Sequence, residues 1–212
     1  DDRYHRLRPT LRVAAQQALA LTPPHYLHPA LRGLKELFDG GSLALVQNVG
    51  YPRPDRSHFR SMDIWHSASN SNEYVYTGWI GRYLDAQCKG CDKPTQALEL
   101  DDVLSLAMKG EQAKALAMKD PRRLFSTSNE KFFKDMVTYR SHGDSETAVD
   151  YLYKTMAETV SSADYIFKQS KLHPTTAEYP KSDIGNSLKT IASLIFSDIN
   201  TKVYYLSLGS FD

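Results

Sequence analysis

Between His28 and Val46 the chain reads as a helix, a stop and a strand, and this order constrains the fold more than any other feature. His28-Pro29-Ala30 opens a pattern in which Leu31, Leu34, Leu37 and Phe38 recur at helical spacing, and Gly40-Gly41 ends it. Ser42-Leu-Ala-Leu-Val46 follows, an apolar run long enough for a buried strand and too short for a helix. Helix, glycine stop and buried strand in succession is the pattern of a parallel α/β sheet.

The remaining periodicities fit that class. Leu11 to Leu21 closes on Thr22-Pro23-Pro24 and reads as a helix or an irregular arm. A helix is expected from Arg56 to His66 with Asp55 as its cap, and a turn leading into a short helix over Thr77 to Leu84. Leu98 to Met108 carries a weak strand pattern, and Asp120-Pro121 reads as a cap and first helical residue. Helices are expected over Phe132 to Tyr139, over Ser145 to Lys171 with Ala148, Leu152, Met156, Val160 and Ala163 on one face, and over Ile184 to Phe196 with Leu188, Ile191, Leu194 and Ile195 inward. Val203 to Leu208 has strand composition. The expected organisation is an α/β domain of mostly parallel strands flanked by helices: residues 1–120 form its N-terminal part, 121–175 a helical insert, and 176–212 a return to the sheet.

Composition excludes several classes. The 212 residues are 41% hydrophobic and 24% charged, enough to bury one large domain or a domain with a lobe. A formal net charge of +1 without a single-sign run lacks the footprint of a general nucleic-acid binder. No apolar stretch reaches membrane-spanning length. The chain begins at Asp1 without methionine and stops four residues after a strand pattern, so it is read as a segment of a longer protein whose targeting signal lies elsewhere. Cys88 and Cys91, in Cys-Lys-Gly-Cys, leave open a short-loop disulfide, free thiols, or a metal or redox pair. No second pair completes a zinc set, and a disulfide fits an exported protein.

Chemistry concentrates between Val49 and Trp65, where two prolines, three arginines and a Ser-His pair meet a helix start. A helix N-terminus favours anions through its free N–H groups and its dipole. Ser57 is the candidate nucleophile, activated by a metal, because its sequence neighbour His58 cannot face it on a helix; its alternative is a capping serine. Arg56 and Arg53, with Arg60, are candidates to clamp an oxyanion, and His58 to contact substrate; solvated charge and packed imidazole are the corresponding structural readings. Asp63 is placed to orient an imidazole or pair with an arginine. Asp212 follows the last strand pattern through Gly209, where ligands of parallel sheets gather, and is the candidate metal ligand or else a loop aspartate. Trp65 and Trp79 are expected in the core.

Several ordered motifs resemble the domain of unknown function 1501 family: Arg6-Leu-Arg-Pro-Thr-Leu11, Leu27-His-Pro-Ala-Leu31, Leu45-Val-Gln-Asn-Val-Gly50, Arg56-Ser-His-Phe59 with Asp63 and Trp65, Gly78-Trp-Ile-Gly-Arg-Tyr-Leu84, and Ser207-Leu-Gly-Ser-Phe-Asp212. The resemblance spans nearly the whole chain. It implies a relation to the alkaline phosphatase and sulfatase superfamily, metal-dependent hydrolases of phosphate and sulfate esters, many of whose relatives carry export signals. It further implies that Ser57 stands where the nucleophile is kept and that Asp212 opens a metal motif. The expected function is a segment of an exported hydrolase, periplasmic or at the cell surface, using divalent zinc, calcium or magnesium on an anionic ester substrate. The family's acidic first strand and later histidines lie outside this segment, so the segment alone is expected to be inactive. The rival expectation is a binding protein on the same fold whose partner is a glycan or a protein.

Overall fold

The computed structural model describes residues 2–87, 94–111, 115–138 and 148–209. The chain forms two compact units, Asp1–Gly50 and Tyr51–Asp212.

The first unit is small and mostly surface. Helix α1 (Asp2–Leu7) leads to a short antiparallel pair, β1 (Leu19–Ala20) and β2 (Tyr26–Leu27), with Leu19 opposite Leu27. A cis Pro23-Pro24 peptide lies in the connection. His28 caps the turn Pro29–Leu31 by accepting the Ala30 N–H at 3.1 Å, and α2 (Arg32–Asp39) follows. Gly41 adopts φ +71°, which a residue without Cβ reaches at no steric cost. Of the two readings of the arm before Pro23, the irregular one describes it: a series of turns ends in β1. One expectation is corrected here: Ser42 to Val46 forms no strand, and Leu45 and Val46 are exposed. An apolar run becomes a strand only when a neighbouring strand takes its backbone N–H and C=O groups, and here the Ser42 N–H instead closes the end of α2 on the Leu37 carbonyl at 2.8 Å.

The second unit is built on a parallel sheet. In chain order it contains α3 (His58–Ser67), α4 (Trp79–Gln87), β3 (Ala97–Glu99), β4 (Leu116–Ala117), α5 (Pro121–Ser128), α6 (Lys131–Thr138), α7 (Ala148–Leu172), α8 (Asp183–Phe196) and β5 (Val203–Tyr205). The strands lie in the order β4-β3-β5, all parallel, with Leu98 beside Leu116 and Tyr204, and Glu99 beside Ala117 and Tyr205. β3 is buried along its length because both of its faces are covered. On one face Leu98 and Leu100 pack with Leu116, Met118, Ile166, Leu194 and Ile199, contributed partly by α7 and α8. On the other, Ala97 packs with Ile80 and Leu84 of α4 and with Ala107 and Met108 of a single 3₁₀ turn. The successive side chains of β3 therefore serve two different cores. β4 escaped the sequence reading because two residues cannot display a period.

Helix ends follow local chemistry. Asp120 caps α5 by accepting the Arg122 and Arg123 N–H groups at 2.6 and 3.2 Å, with Pro121 as first residue, as the sequence predicts. Phe125 of α5 stacks on Phe167 of α7 at 4.2 Å between ring centroids. α8 turns differently from its apolar pattern: Leu188 and Ile195 are exposed, while Gly185, Ser187, Ser193 and Leu194 are buried. Small residues allow close approach, and Ser197, just past α8, donates to the Gln169 carbonyl of α7 at 2.6 Å.

α4 packs closely on neighbouring backbone. Gly78 donates to the Lys109 carbonyl at 2.8 Å, and a Cβ at Gly81 would lie 2.2 Å from the Lys109 carbonyl carbon and oxygen. In an exposed helix, glycine to alanine gains about 1 kcal/mol. Here the backbone of Lys109 and Gly110 blocks the methyl, so Gly81→Ala should instead destabilise the protein by about 1–3 kcal/mol in urea unfolding.

Candidate functional site

The residues singled out around Ser57 lie on the approach to α3. Asp55 Oδ1 accepts the Ser57 N–H at 2.7 Å, and Ser57 Oγ in turn accepts the Arg60 N–H at 3.4 Å. Ser57, not Asp55, is thus the helix cap, and Asp55 holds the residue before the first turn. Ser61 Oγ donates to the Asp55 carbonyl at 2.9 Å, so its 2.7 Å contact with Tyr51 is a bond that the phenol donates. This Tyr51-Ser61-Asp55 network fixes the turn. Arg53 takes a left-handed φ of +55°, which costs a residue with Cβ about 1–2 kcal/mol.

Ser57, His58, Arg53 and Arg56 are all exposed. Arg60 is used structurally: its guanidinium donates to the Ser71 carbonyl at 3.1 Å and to that of Glu73, and lies 4.0 Å over the Tyr74 ring. The helix start already has an anion, because the Asp55 carboxylate sits against it. Asp212, Cys88 and Cys91 lie outside the described residues.

The far end of α3 is tied to the sheet. His66 Nε2 and the Tyr205 hydroxyl are 3.1 Å apart, with their rings edge to face. Ser57, nine residues earlier, stands roughly 14 Å along the helix from that anchor. Burial lowers the His66 pKa, and the nearby Asp63 carboxylate opposes the shift. Tyr205 is pushed up by burial and by the negative potential of Glu99 and Asp101.

At the carboxyl end of the sheet, Leu100 N–H bonds the Tyr205 carbonyl at 2.9 Å, so β3 and β5 emerge side by side. Ser207 Oγ there donates to Asp101 Oδ2 at 2.9 Å, while Asp101 Oδ1 accepts the Asp102 N–H at 2.7 Å. The parallel-sheet rule located ligand chemistry at this edge but led only to Asp212. The Asp101-Asp102 pair went unnoticed because the strand preceding it is three residues long. Among the described residues, no three of His, Cys, Asp or Glu converge so as to hold a metal ion.

Glu99 was likewise missed, although a lone carboxylate inside Ala97-Leu-Glu-Leu100 is a legible signal. It is 1% exposed and accepts the Ser105 N–H at 2.8 Å, tying the loop after Asp102 to the sheet. Trp65 and Trp79 were expected inside, but both are about half exposed, alongside the exposed Phe59, Tyr74, Tyr76 and Tyr83. α3 buries Ile64 and Ser67, so its Phe59-Met62-Trp65 face turns outward. Comparison of the chain with family models, with curated proteins and with solved structures found no match.

Burial raises the Glu99 pKa; hydrogen bonding from Ser105 and the charge of Lys109 act against the rise, and Asp101 adds to it. A carboxyl raised above its ordinary 4.5 favours the folded state most below that value, and this contribution is lost as pH climbs through the raised value. Glu99→Gln removes the titration while keeping an acceptor for Ser105. The stability of Glu99→Gln relative to the native chain should therefore rise with pH from about 4.5 upward. Urea unfolding measured from acid to neutral pH tests this, and a difference independent of pH would refute the assignment.

Proposed function

We propose that this chain is a segment of an exported, metal-dependent hydrolase of phosphate or sulfate esters. The observation that carries the reading is the parallel pairing of β5 with β3, which opens the carboxyl ends of both strands on one edge, where Asp101 and Ser207 meet. Ligand sites of parallel α/β sheets form at such edges. In this proposal Asp212, seven residues beyond β5, is a metal ligand acting with groups beyond the described residues, and the metal when bound supplies Lewis-acid polarisation of the ester.

Ser57 is the proposed nucleophile. It is exposed at the start of a helix, and its cap bond of 3.4 Å is weak enough to exchange for a substrate contact. Arg56 stabilises charge developing on the ester oxygens, while Arg53 and His58 contact the bound anion.

The second reading, a non-catalytic binding protein for a glycan or protein partner, is favoured by the exposed rings of Phe59, Trp65, Tyr74, Tyr76, Trp79 and Tyr83. Such rings stack on sugars and anchor protein interfaces.

One substitution in the full protein separates the two readings. Ser57→Ala should lower ester turnover by a factor of about 100 or more, while loss of the cap lowers stability by only about 1 kcal/mol. Hydrolysis of a phosphate and a sulfate monoester, measured beside urea unfolding, is the check; unchanged turnover in the variant would remove Ser57 from the mechanism.

A further inference from the structure

Between Ser67 and Gln87 every exposed large apolar side chain is a tyrosine or a tryptophan: Tyr74, Tyr76, Trp79 and Tyr83. No exposed leucine, isoleucine, valine or methionine accompanies them. The rings stand on a braced segment. Arg60 of α3 donates to the Ser71 carbonyl at 3.1 Å and to that of Glu73, and its guanidinium lies 4.0 Å over the Tyr74 ring. Tyr74 is nevertheless 72% exposed, so the opposite face of its ring is open to solvent. Arg82 of α4 donates to the Thr77 and Ser67 carbonyls at 2.7 Å each. Gly78 closes the segment against the 3₁₀ turn, where a Cβ would fall 2.0 Å from the Leu106 carbonyl oxygen. Tyr74 and Tyr76, on either side of the half-buried Val75, lie within about 7 Å of one another along the backbone. Trp79 and Tyr83, four apart on α4, share a face that the buried Ile80, Gly81 and Leu84 do not occupy.

We infer that residues 70–83 form a stacking platform for a neutral glycan, an oligosaccharide of uncharged pyranose units. Charge decides the class of ligand. Glu73 and Arg82 are the only charged residues from 68 to 84, and both are engaged. Glu73 Oε1 accepts from Asn70 Nδ2 at 3.1 Å, and the Arg82 guanidinium is turned to backbone carbonyls. An anionic ligand would meet no uncommitted cation in this segment, whereas an uncharged one needs none. A pyranose presents an apolar C–H face and an edge of hydroxyls. The open ring faces receive the first, and the exposed amides of Asn70 and Asn72, just before Tyr74 in the chain, offer donors and acceptors to the second. Because Arg60 and Arg82 already hold the segment, little ordering is left to oppose a contact made by stacking. The inference rests on the second reading above, narrows its partner to one chemistry and does not involve Ser57.

Amide and indole N–H shifts of the full chain, followed by NMR during titration with cellohexaose, mannohexaose and maltohexaose, and with a heparin hexasaccharide as the acidic comparison, test the inference. Saturable shifts centred on residues 72–83 and on the Trp79 indole are expected with at least one neutral sugar, at an affinity that salt leaves unchanged. Tyr76→Ala with Trp79→Ala should weaken that binding about tenfold or more, and Ser57→Ala should leave it unchanged. Both rings are exposed, so the double variant should keep the native spectrum elsewhere. No saturable shift with any of the three neutral sugars, binding confined to the heparin fragment and lost in salt, or a concentration-dependent dimer in sedimentation that Tyr76→Ala dissolves would each overturn the platform. The ring substitutions read sugar binding and Ser57→Ala reads ester turnover, so failure of one reading is visible apart from failure of the other.

Discussion

The structure depends on β3 being hydrogen-bonded on both edges and covered on both faces. Three residues, Ala97, Leu98 and Glu99, pair with β4 on one side and β5 on the other, although β5 is more than a hundred residues later in the chain. Parallel strands cannot be joined by a tight turn, so each return to the sheet requires a long excursion. The excursion between β4 and β5 contains α5 to α8, and α5, α7 and α8 cover the Leu98 face. The Ala97 face is covered by chain that precedes β3, namely α4, with the 3₁₀ turn Leu106–Met108 completing it. A short central strand thus organises a three-layer arrangement far larger than itself.

The same strand accounts for the placement of polar groups. Glu99 is the last paired residue of β3 and lies on the face shared with Tyr205, whose hydroxyl meets His66 of α3. Burying a carboxyl there is tolerated because the Ser105 N–H meets it and because it can take up a proton. Two residues beyond the pairing, past the buried Leu100, the chain leaves the core and becomes acidic, with Asp101 fixed by Ser207 and Asp102 turned toward Lys119 and Arg123. The carboxyl edge of the sheet is where apolar packing ends and charged side chains collect. The proposed hydrolase chemistry draws on that edge.

α3 spans two environments. Its C-terminal end is anchored to β5 through His66, and its N-terminal end carries Ser57 in a turn braced by Tyr51, Asp55 and Ser61. A rigid approach to an exposed serine is compatible with a simple cap and with a nucleophile alike. The outward rings of Phe59 and Trp65 show that this helix buries only a narrow face, formed by Ile64 and Ser67.

Local chemistry was legible in the amino-acid order alone. The Asp120-Pro121 helix start, the helices of α2, α3, α4, α6, α7 and α8, and the strand at Val203 follow from caps, periodicity and glycine stops, which act within a few residues. What the order could not decide is everything that depends on a distant partner. Ser42 to Val46 and Leu116-Ala117 are both short apolar runs, yet only the second finds a neighbour in β3 and becomes a strand. Leu188 and Ile195 match a buried helical face, yet α8 buries Gly185, Ser187, Ser193 and Leu194 and leaves them exposed. The Ser57 segment was legible because its signals are contiguous, whereas Asp102, Lys119 and Arg123 come together only when β4 pairs beside β3. Sequence specifies the hydrogen bonds and faces of single elements; which faces meet is decided by long-range burial, and that exists only in the folded chain.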